Sequence, residues 1–334
     1  WLVVATVSGG LLLFKDEYYS WRYPALPDAP ALFEANAHVI ESIVAASKRR
    51  IATIALPTTS LPAYHVYFAD GTKGLFHPET AKQVAGWDVF DALPAFLFEL
   101  HAYMLLGDIG HIVIGLVGLA AAISICIGFV LWWQRRATFR IRYLVPRSRK
   151  KKHLLRGHAA QGAVTGAALI VLLLSGSAMI FPGPTLSGLS GILGSSSQLR
   201  PTVDSLGTPA SFVNWDLAIS AAAEQFPDGQ PRFISIPAEP NQPLVWRVRN
   251  SQELHPNGRS YIVLHPESGE ILETIDATQT GLGPAVFNAL YPIHAGKTGW
   301  PGYRLLLALL SLTQLYLAIS GAYLYMKRNK LRRR

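Results

Sequence analysis

A single cysteine, Cys126, in 334 residues excludes a disulfide framework, a Cys-x-x-Cys pair, a thiolate-held iron–sulfur cluster and the Cys-x-x-Cys-His attachment of a covalent haem. Any haem is therefore held noncovalently. Charge is equally scarce. Only 15% of the residues are Asp, Glu, Lys or Arg, while 50% are apolar, against roughly 25% charged in an ordinary soluble domain. No Gly-x-Gly-x-x-Gly follows a strand pattern, and no Walker sequence or His-Glu-x-x-His occurs. The chain thus carries no signature of a nicotinamide, flavin, nucleoside-triphosphate or zinc-protease module. The apolar runs lack acidic pairs, which argues against a proton-coupled carrier. No secretory cleavage signal is visible.

Long apolar runs are plentiful. Three can cross a hydrocarbon core of roughly 30 Å: Ile109 to Trp133, Ala159 to Phe181 and Tyr303 to Met326. A fourth, Trp1 to Phe14, is too short by itself; it starts without Met, charge or cap and reads as the second half of a spanning helix. The net charge of +9 is unevenly spread. Residues 134–158 hold ten Lys or Arg and no acid, and the tail "KRNKLRRR" holds six more. Once those are set aside, 14 basic residues face 21 acidic ones. Basic clusters that flank apolar spans on one side mark the cytoplasmic face, so residues 15–108 and 182–302 lie outside and both termini inside. This placement points to a lipid bilayer, not nucleic acid, as the partner of the basic residues.

The chain repeats itself. At an ungapped offset of 193 the second apolar run falls on the last: His101 on His294, Leu116 on Leu309, Leu119 on Leu312, Gly128 on Gly321, Trp132 on Tyr325 and Arg135 on Arg328. At an offset of 167, "SGGLLLF" (8–14) lies on "SGSAMIF" (175–181). The intervening segments correspond as well. "YHVYFADGTKGLFHPET" (64–80) and "SYIVLHPESGEIL" (260–272) join strand-like alternation to Asp-Gly and Ser-Gly turn signals. An amphipathic helix precedes each, over Glu34 to Arg49 and Val213 to Phe226. Further strands are read in "PRFISIP", "PLVWRVRN" and "GEILETID", and 183–198 reads as a mobile Gly/Ser-rich linker.

Strand-and-turn modules ending in "HPET" and "HPESGEIL", set between "LHAYMLLGDIGHIVIGLVGL…LWWQRR" and "IHAGKTGWPGYRLLLALLSL…SGAYLYMKR", resemble the PepSY-associated transmembrane family. Within it the chain is most similar to FoxB- and PiuB-type inner-membrane proteins of siderophore-iron uptake. The resemblance spans nearly the whole chain. It implies a bacterial inner-membrane reductase with two noncovalent b-type haems that reduces ferric siderophore in the periplasm. The fold this implies is four transmembrane helices with two small α+β PepSY-like periplasmic domains, related by an internal two-fold repeat. The boundaries are helix 1 at 1–17, domain 1 at 18–99, helix 2 at 100–134, a basic cytoplasmic loop at 135–157 and helix 3 at 158–182. A linker with domain 2 follows at 183–293, then helix 4 at 294–327 and a basic tail at 328–334. Without a cofactor-reducing module of its own, such a reductase takes electrons from a separate donor, either a quinol or a cytoplasmic reductase. The rival readings are a non-redox membrane-anchored PepSY binding protein and a siderophore permease.

The histidines are the candidate ligands. Two neutral imidazoles on facing helices suit a six-coordinate electron-transfer haem. His101 and His294 hold equivalent places in the repeat and form the first pair; the alternative is two wet interfacial side chains. His158 opens the third span and is the candidate for a second, inner haem, with a partner that the repeat places before Trp1. The alternative makes it, like His153, one member of a basic cluster. On a continuous helix His111 lies ten residues beyond His101, rotated by about 80° and roughly 15 Å deeper, so the two cannot share one iron. His111 falls on Arg304 in the repeat and suits a haem propionate, or it replaces His101 as ligand. His77 and His265 read as structural parts of their turns, and nothing in the pattern separates His38, His65 and His255 from surface residues. Glycines such as Gly115, Gly118, Gly162, Gly166, Gly176 and Gly321 allow close helix approach.

Overall fold

The computed structural model describes residues 1–24, 26–27, 35–195 and 199–332. The expected helix start at Glu34 and the linker end at 196–198 lie outside these residues. In chain order the helices are α1 (Leu2–Leu12), α2 (Lys15–Arg22), α3 (Ala37–Ala46), α4 (Leu93–Tyr103), α5 (Gly107–Trp133), α6 (Lys151–Ile180), α7 (Pro182–Leu193), α8 (Trp215–Gln225), α9 (Leu282–His294) and α10 (Pro301–Arg332). The strands are β1 (Ile51–Ala55), β2 (Tyr64–Phe68), β3 (Lys73–Phe76), β4 (Gln83–Trp87), β5 (Gln230–Ser235), β6 (Leu244–Arg249), β7 (Ser260–Leu264) and β8 (Ile271–Ile275). The chain forms two compact units, a helical one (1–13, 97–185 and 293–334) and a sheet one (14–96 and 186–292).

In the helical unit α5, α6 and α10 are long and apolar enough to cross a membrane, and α1 is a shorter apolar helix of 11 residues. α5 packs on α6, α6 on α10, α10 on α1 and α1 on α5, which closes a ring of four. Neighbours run antiparallel: Ser177 near the end of α6 donates to the Gly115 carbonyl near the start of α5 at 3.0 Å, while Ser320 in the second half of α10 lies 2.9 Å from Nδ1 of His158 early in α6. Leu169, Leu307 and Leu310 form the buried centre. Ile109, Ile123, Val130 and Leu131 on α5 are 60% or more exposed, an apolar surface fit for lipid contact rather than water.

Two of the spans depart from expectation at their entries. The stretch 100–134 is not one helix. α4 ends at Tyr103, Met104 and Leu105 take left-handed backbone (φ 55° and 58°), and α5 starts at Gly107 (φ 58°). L-residues avoid that region because Cβ crowds the following carbonyl, so the chain turns there instead of continuing the helix. Gly110 permits the close return, since any side chain there would overlap the Tyr103 carbonyl. The last span has a matching interruption between His294 and Pro301, with Gly296 (φ 71°) and Gly299 (φ 84°) supplying the left-handed residues. The basic stretch from Lys151 to Gly157 is helical and belongs to α6. Residues 183–193, expected as linker, belong to the helix α7.

The sheet unit corrects the reading of two outer domains. Its eight antiparallel strands form one sheet in the order β4-β3-β2-β1-β5-β6-β7-β8. Each half is a four-stranded meander, and β1 pairs with β5 through Ile54 opposite Ile234. Helices α3 and α8 start alike: the side-chain carbonyl of Asn36 accepts from Val39 N–H, and that of Asn214 accepts from Leu217 N–H, each at 3.2 Å. This satisfies an orphan donor of the first turn. The two helices share one core with the sheet, built on Ile40, Ile43, Ile54, Tyr64, Ile234 and Trp246. Halves that bury their apolar faces in a common core make one domain, not two.

Both "HPE" stretches are structural turns. His77 Nδ1 accepts from Glu79 N–H at 3.2 Å, and His265 Nδ1 accepts from Ser268 N–H at 3.3 Å. They follow β3 and β7, so the counterpart of β7 is β3 and not the "YHVYF" strand β2.

Candidate functional site

His101 sits in the last turn of α4 and His294 is the last residue of α9. Their ring centroids are 6.0 Å apart, with planes inclined at 41°. His101 Nδ1 lies 2.9 Å from the Ala5 carbonyl and 3.5 Å from Ser8 Oγ. His294 Nδ1 lies 3.0 Å from the Leu172 carbonyl and 3.3 Å from Ser175 Oγ. A carbonyl only accepts, so each Nδ1 is the donor and each Nε2 keeps its lone pair. Metal-bound histidines are held in this way, one ring nitrogen donating to a carbonyl and the other free to ligate.

Small residues create the space. A Cβ on Gly9 would stand 2.6 Å from His101 Cε1, and a Cβ on Gly176 would stand 2.7 Å from His294 Cε1. Gly9 and Gly176 belong to the aligned "SGG" and "SGS" segments, as do Ser8 and Ser175. Each imidazole therefore rests on a glycine, a serine and a carbonyl taken from corresponding positions. Tyr303, at the start of α10, donates to the Ile293 carbonyl at 2.8 Å and ties down the turn that carries His294.

Two imidazoles on one metal, with bonds of about 2 Å each, put their centroids roughly 6 Å apart. The observed pair has that spacing. Among the described residues no three His, Cys, Asp or Glu side chains gather as a metal site. A zinc or copper centre takes three or four protein ligands, whereas a haem brings four nitrogens of its own and needs only the axial pair. The residues present thus fit a bis-imidazole haem.

The other candidates fall elsewhere. His111, in the first turns of α5, stacks on Tyr103 with centroids 4.6 Å apart and places Nδ1 2.9 Å from the Ala102 carbonyl. It clasps the α4–α5 break, and the ring brought against His294 is that of His101. The break also cancels the ten-residue rotation and depth expected of His111, which presupposed a continuous helix. His158 lies on α6 with Nδ1 2.9 Å from Ser320 Oγ, a hydroxyl and not a second imidazole. Gly321 approaches His158 Cε1 to 3.4 Å, measured from an ideal Cβ, whereas its repeat counterpart Gly128 faces open space. His153 instead pairs with Ser148 Oγ at 2.8 Å.

Two histidines without any sequence signal lie inside the sheet unit, His255 buried and His65 half-buried. His65 packs against Tyr67, with centroids 4.5 Å apart, and against Trp87 at 5.5 Å. His255 stacks on Tyr291 at 4.9 Å. Burial, helped by Lys15 and Lys73, pulls His65 down to about 3; burial with Arg259, Arg247 and Arg249 nearby pulls His255 down to about 2. Both rings are neutral in the fold. Alternation in "YHVYF" assigns His65 to the second face of the sheet, which Tyr19 and Trp87 cover.

Long apolar helices carrying a separate antiparallel sheet domain define a membrane protein. The chain belongs to the PepSY-associated transmembrane family: the family described as "PepSY-associated TM region" matches residues 1–328. No curated protein matches the chain.

Proposed function

We propose that this protein is a di-haem inner-membrane reductase of the FoxB/PiuB type, which passes electrons across the membrane to ferric siderophore in the periplasm and releases Fe(II) during iron uptake. The observation that carries this reading is the facing pair His101 and His294, each with Nδ1 on a carbonyl and its ring seated on a glycine. Equivalent contacts from equivalent sequence positions support a two-fold repeat, in which α1 takes the part of a fourth span beside α5, α6 and α10.

His101 and His294 would hold the outer b-type haem, and His158 the inner one. A bound haem supplies a one-electron carrier within the bilayer. The protein's part is to present two neutral imidazoles at fixed tautomer, to keep their rings oriented through Ala5, Ser8, Leu172 and Ser175, and to exclude bulk water with the leucine centre of the ring. The basic residues of the α5–α6 connection and the end of α10 gather at one end of the helical unit, which supports a cytoplasmic placement of that end and of both termini. The sheet domain then lies in the periplasm, where it can dock a chelate.

One electron converts chelated Fe(III) to Fe(II), which hard oxygen ligands hold far less tightly. The donor is a separate cytoplasmic reductase or a quinol. A quinol gives up two electrons and two protons on becoming a quinone and so serves two ferric ions. The test is anaerobic mixing of dithionite-reduced, desalted protein with a ferric siderophore in the presence of ferrozine. The expected result is reoxidation matched by trapped Fe(II). Reduced haem that persists beside the chelate would remove siderophore reduction from the account, and protein without haem would favour a non-redox PepSY binding protein.

A further inference from the structure

The sheet unit has a cavity of about 570 Å³ lined by Arg200, Arg247, Arg259, Phe233 and Tyr261, with Asp204 as its one carboxylate. That volume suits a small molecule. It opens on the sheet face opposite α3 and α8: Trp246 and Val248 point into the shared core, and Arg247 between them points the other way. Cross-strand neighbours clamp its guanidinium. Phe233 and Tyr261 flank Arg247 in register, and their ring centroids lie 5.3 Å and 6.0 Å from its Cζ.

Arg247 Nε donates to the Gly258 carbonyl at 2.8 Å, but its Nη2 is buried with no hydrogen-bond partner, as is Nε of Arg259. Buried guanidinium nitrogens without acceptors are costly, and a native fold keeps them where something else completes them. Glu253, the acid whose charge acts on Arg247, does not complete them. Glu253 spends its carboxylate on the backbone N–H groups of Asn250 and Arg259 and on the Ser260 hydroxyl. Burial, together with the Arg259 charge, draws Arg247 down to about 10, so it stays protonated at neutral pH. The segment carrying Arg200 and Asp204 is anchored to the sheet where Thr202 N–H and Val203 N–H donate to Glu273 at 2.8 and 2.9 Å.

From this we infer that the cavity is a binding site for anionic, carboxylate-bearing ferric chelates, with Arg247, Arg259 and Arg200 as the groups that receive the carboxylates. Guanidinium matches carboxylate in a two-point fork, and two nitrogens already lack acceptors. Cationic chelates meet three like charges and are excluded. That the anion is an iron chelate rests on the reductase reading; the anion preference of the cavity does not.

The test measures binding of gallium(III) citrate, which is redox-inert, to the purified full-length protein in detergent by calorimetry. Metal-free citrate and the cationic gallium(III) chelate of desferrioxamine B serve as comparisons. Gallium citrate should bind at least about tenfold tighter than either, and Arg200→Gln/Arg259→Gln should weaken it by about tenfold or more with the thermal midpoint retained. Arg247→Lys, which keeps the charge but loses the fork, should weaken it less than Arg247→Gln. Unchanged binding in the folded double variant, or equal binding of the cationic chelate, would overturn the site. Equal binding of metal-free citrate would overturn the chelate assignment. Haem-loaded protein that ignores gallium citrate sinks this inference alone, whereas gallium binding by haem-free protein sinks the reductase reading alone.

Discussion

Gly9 and Gly176 control where the two facing imidazoles can sit. Adding a methyl at either puts carbon 2.6–2.7 Å from a ring Cε1, closer than van der Waals contact allows, so the ring must move. Gly176→Ala should therefore lower haem content or split the spectrum of the outer site, measured as haem per chain. His101→Ala and His294→Ala should each remove one haem. His111→Ala should keep both, because that ring is occupied with Tyr103 and Ala102. His65 and His255 report differently. Each binds no proton in the fold until about pH 3 or 2, whereas unfolded histidine takes one up near 6.5. The unfolded state holds more protons between those limits, so stability is full above about pH 6.5 and falls as the pH drops. At pH 5 the loss should be about 1–2 kcal/mol per histidine. Urea midpoints of the sheet domain at pH 7.5 and 5 measure it, and His65→Gln/His255→Gln should flatten the slope.

At the scale of elements, two asparagines cap the two helices of the sheet domain by the same bond. Asn36→Ala and Asn214→Ala should each cost about 1 kcal/mol, read as a lowered thermal midpoint. Long apolar runs and alternating strands were legible because their periods are written along the chain: "SYIVLHP" contains β7 and "PLVWRVRN" contains β6. The interruptions at Met104–Gly107 and Gly296–Pro301 were not. Met and Leu carry no turn chemistry, and their left-handed backbone goes with the close return at Gly110 and the clasp of His111 on Ala102 and Tyr103. The composition of 183–193 suggests a linker, but Leu186, Leu189, Ile192 and Leu193 recur at helical spacing and the prolines fall in the first turn of α7, where they are tolerated. The pairing of His101 with His294 was legible in the ungapped offset, while the serine, glycine and carbonyl partners that fix those rings emerge only when α1 and α6 are brought beside them.

At the scale of the whole molecule, the repeat suggested two outer domains and the fold joins them into one. Pairing of β1 with β5 is a long-range contact between segments some 180 residues apart, which strand patterns cannot specify. Ile54 and Ile234 face each other at that junction and are fully buried. Ile54→Ala and Ile234→Ala should each cost about 2–4 kcal/mol, and hydrogen exchange should quicken in both halves together; loosening confined to one half would mean two independent domains. Absorption spectroscopy of the detergent-purified full chain reads the proposed haem pair directly. A b-type Soret band is expected that shifts on dithionite addition and loses intensity in His101→Ala and His294→Ala but not in His111→Ala. A colourless protein expressed with ample haem, or full haem content in both His101→Ala and His294→Ala, would contradict it.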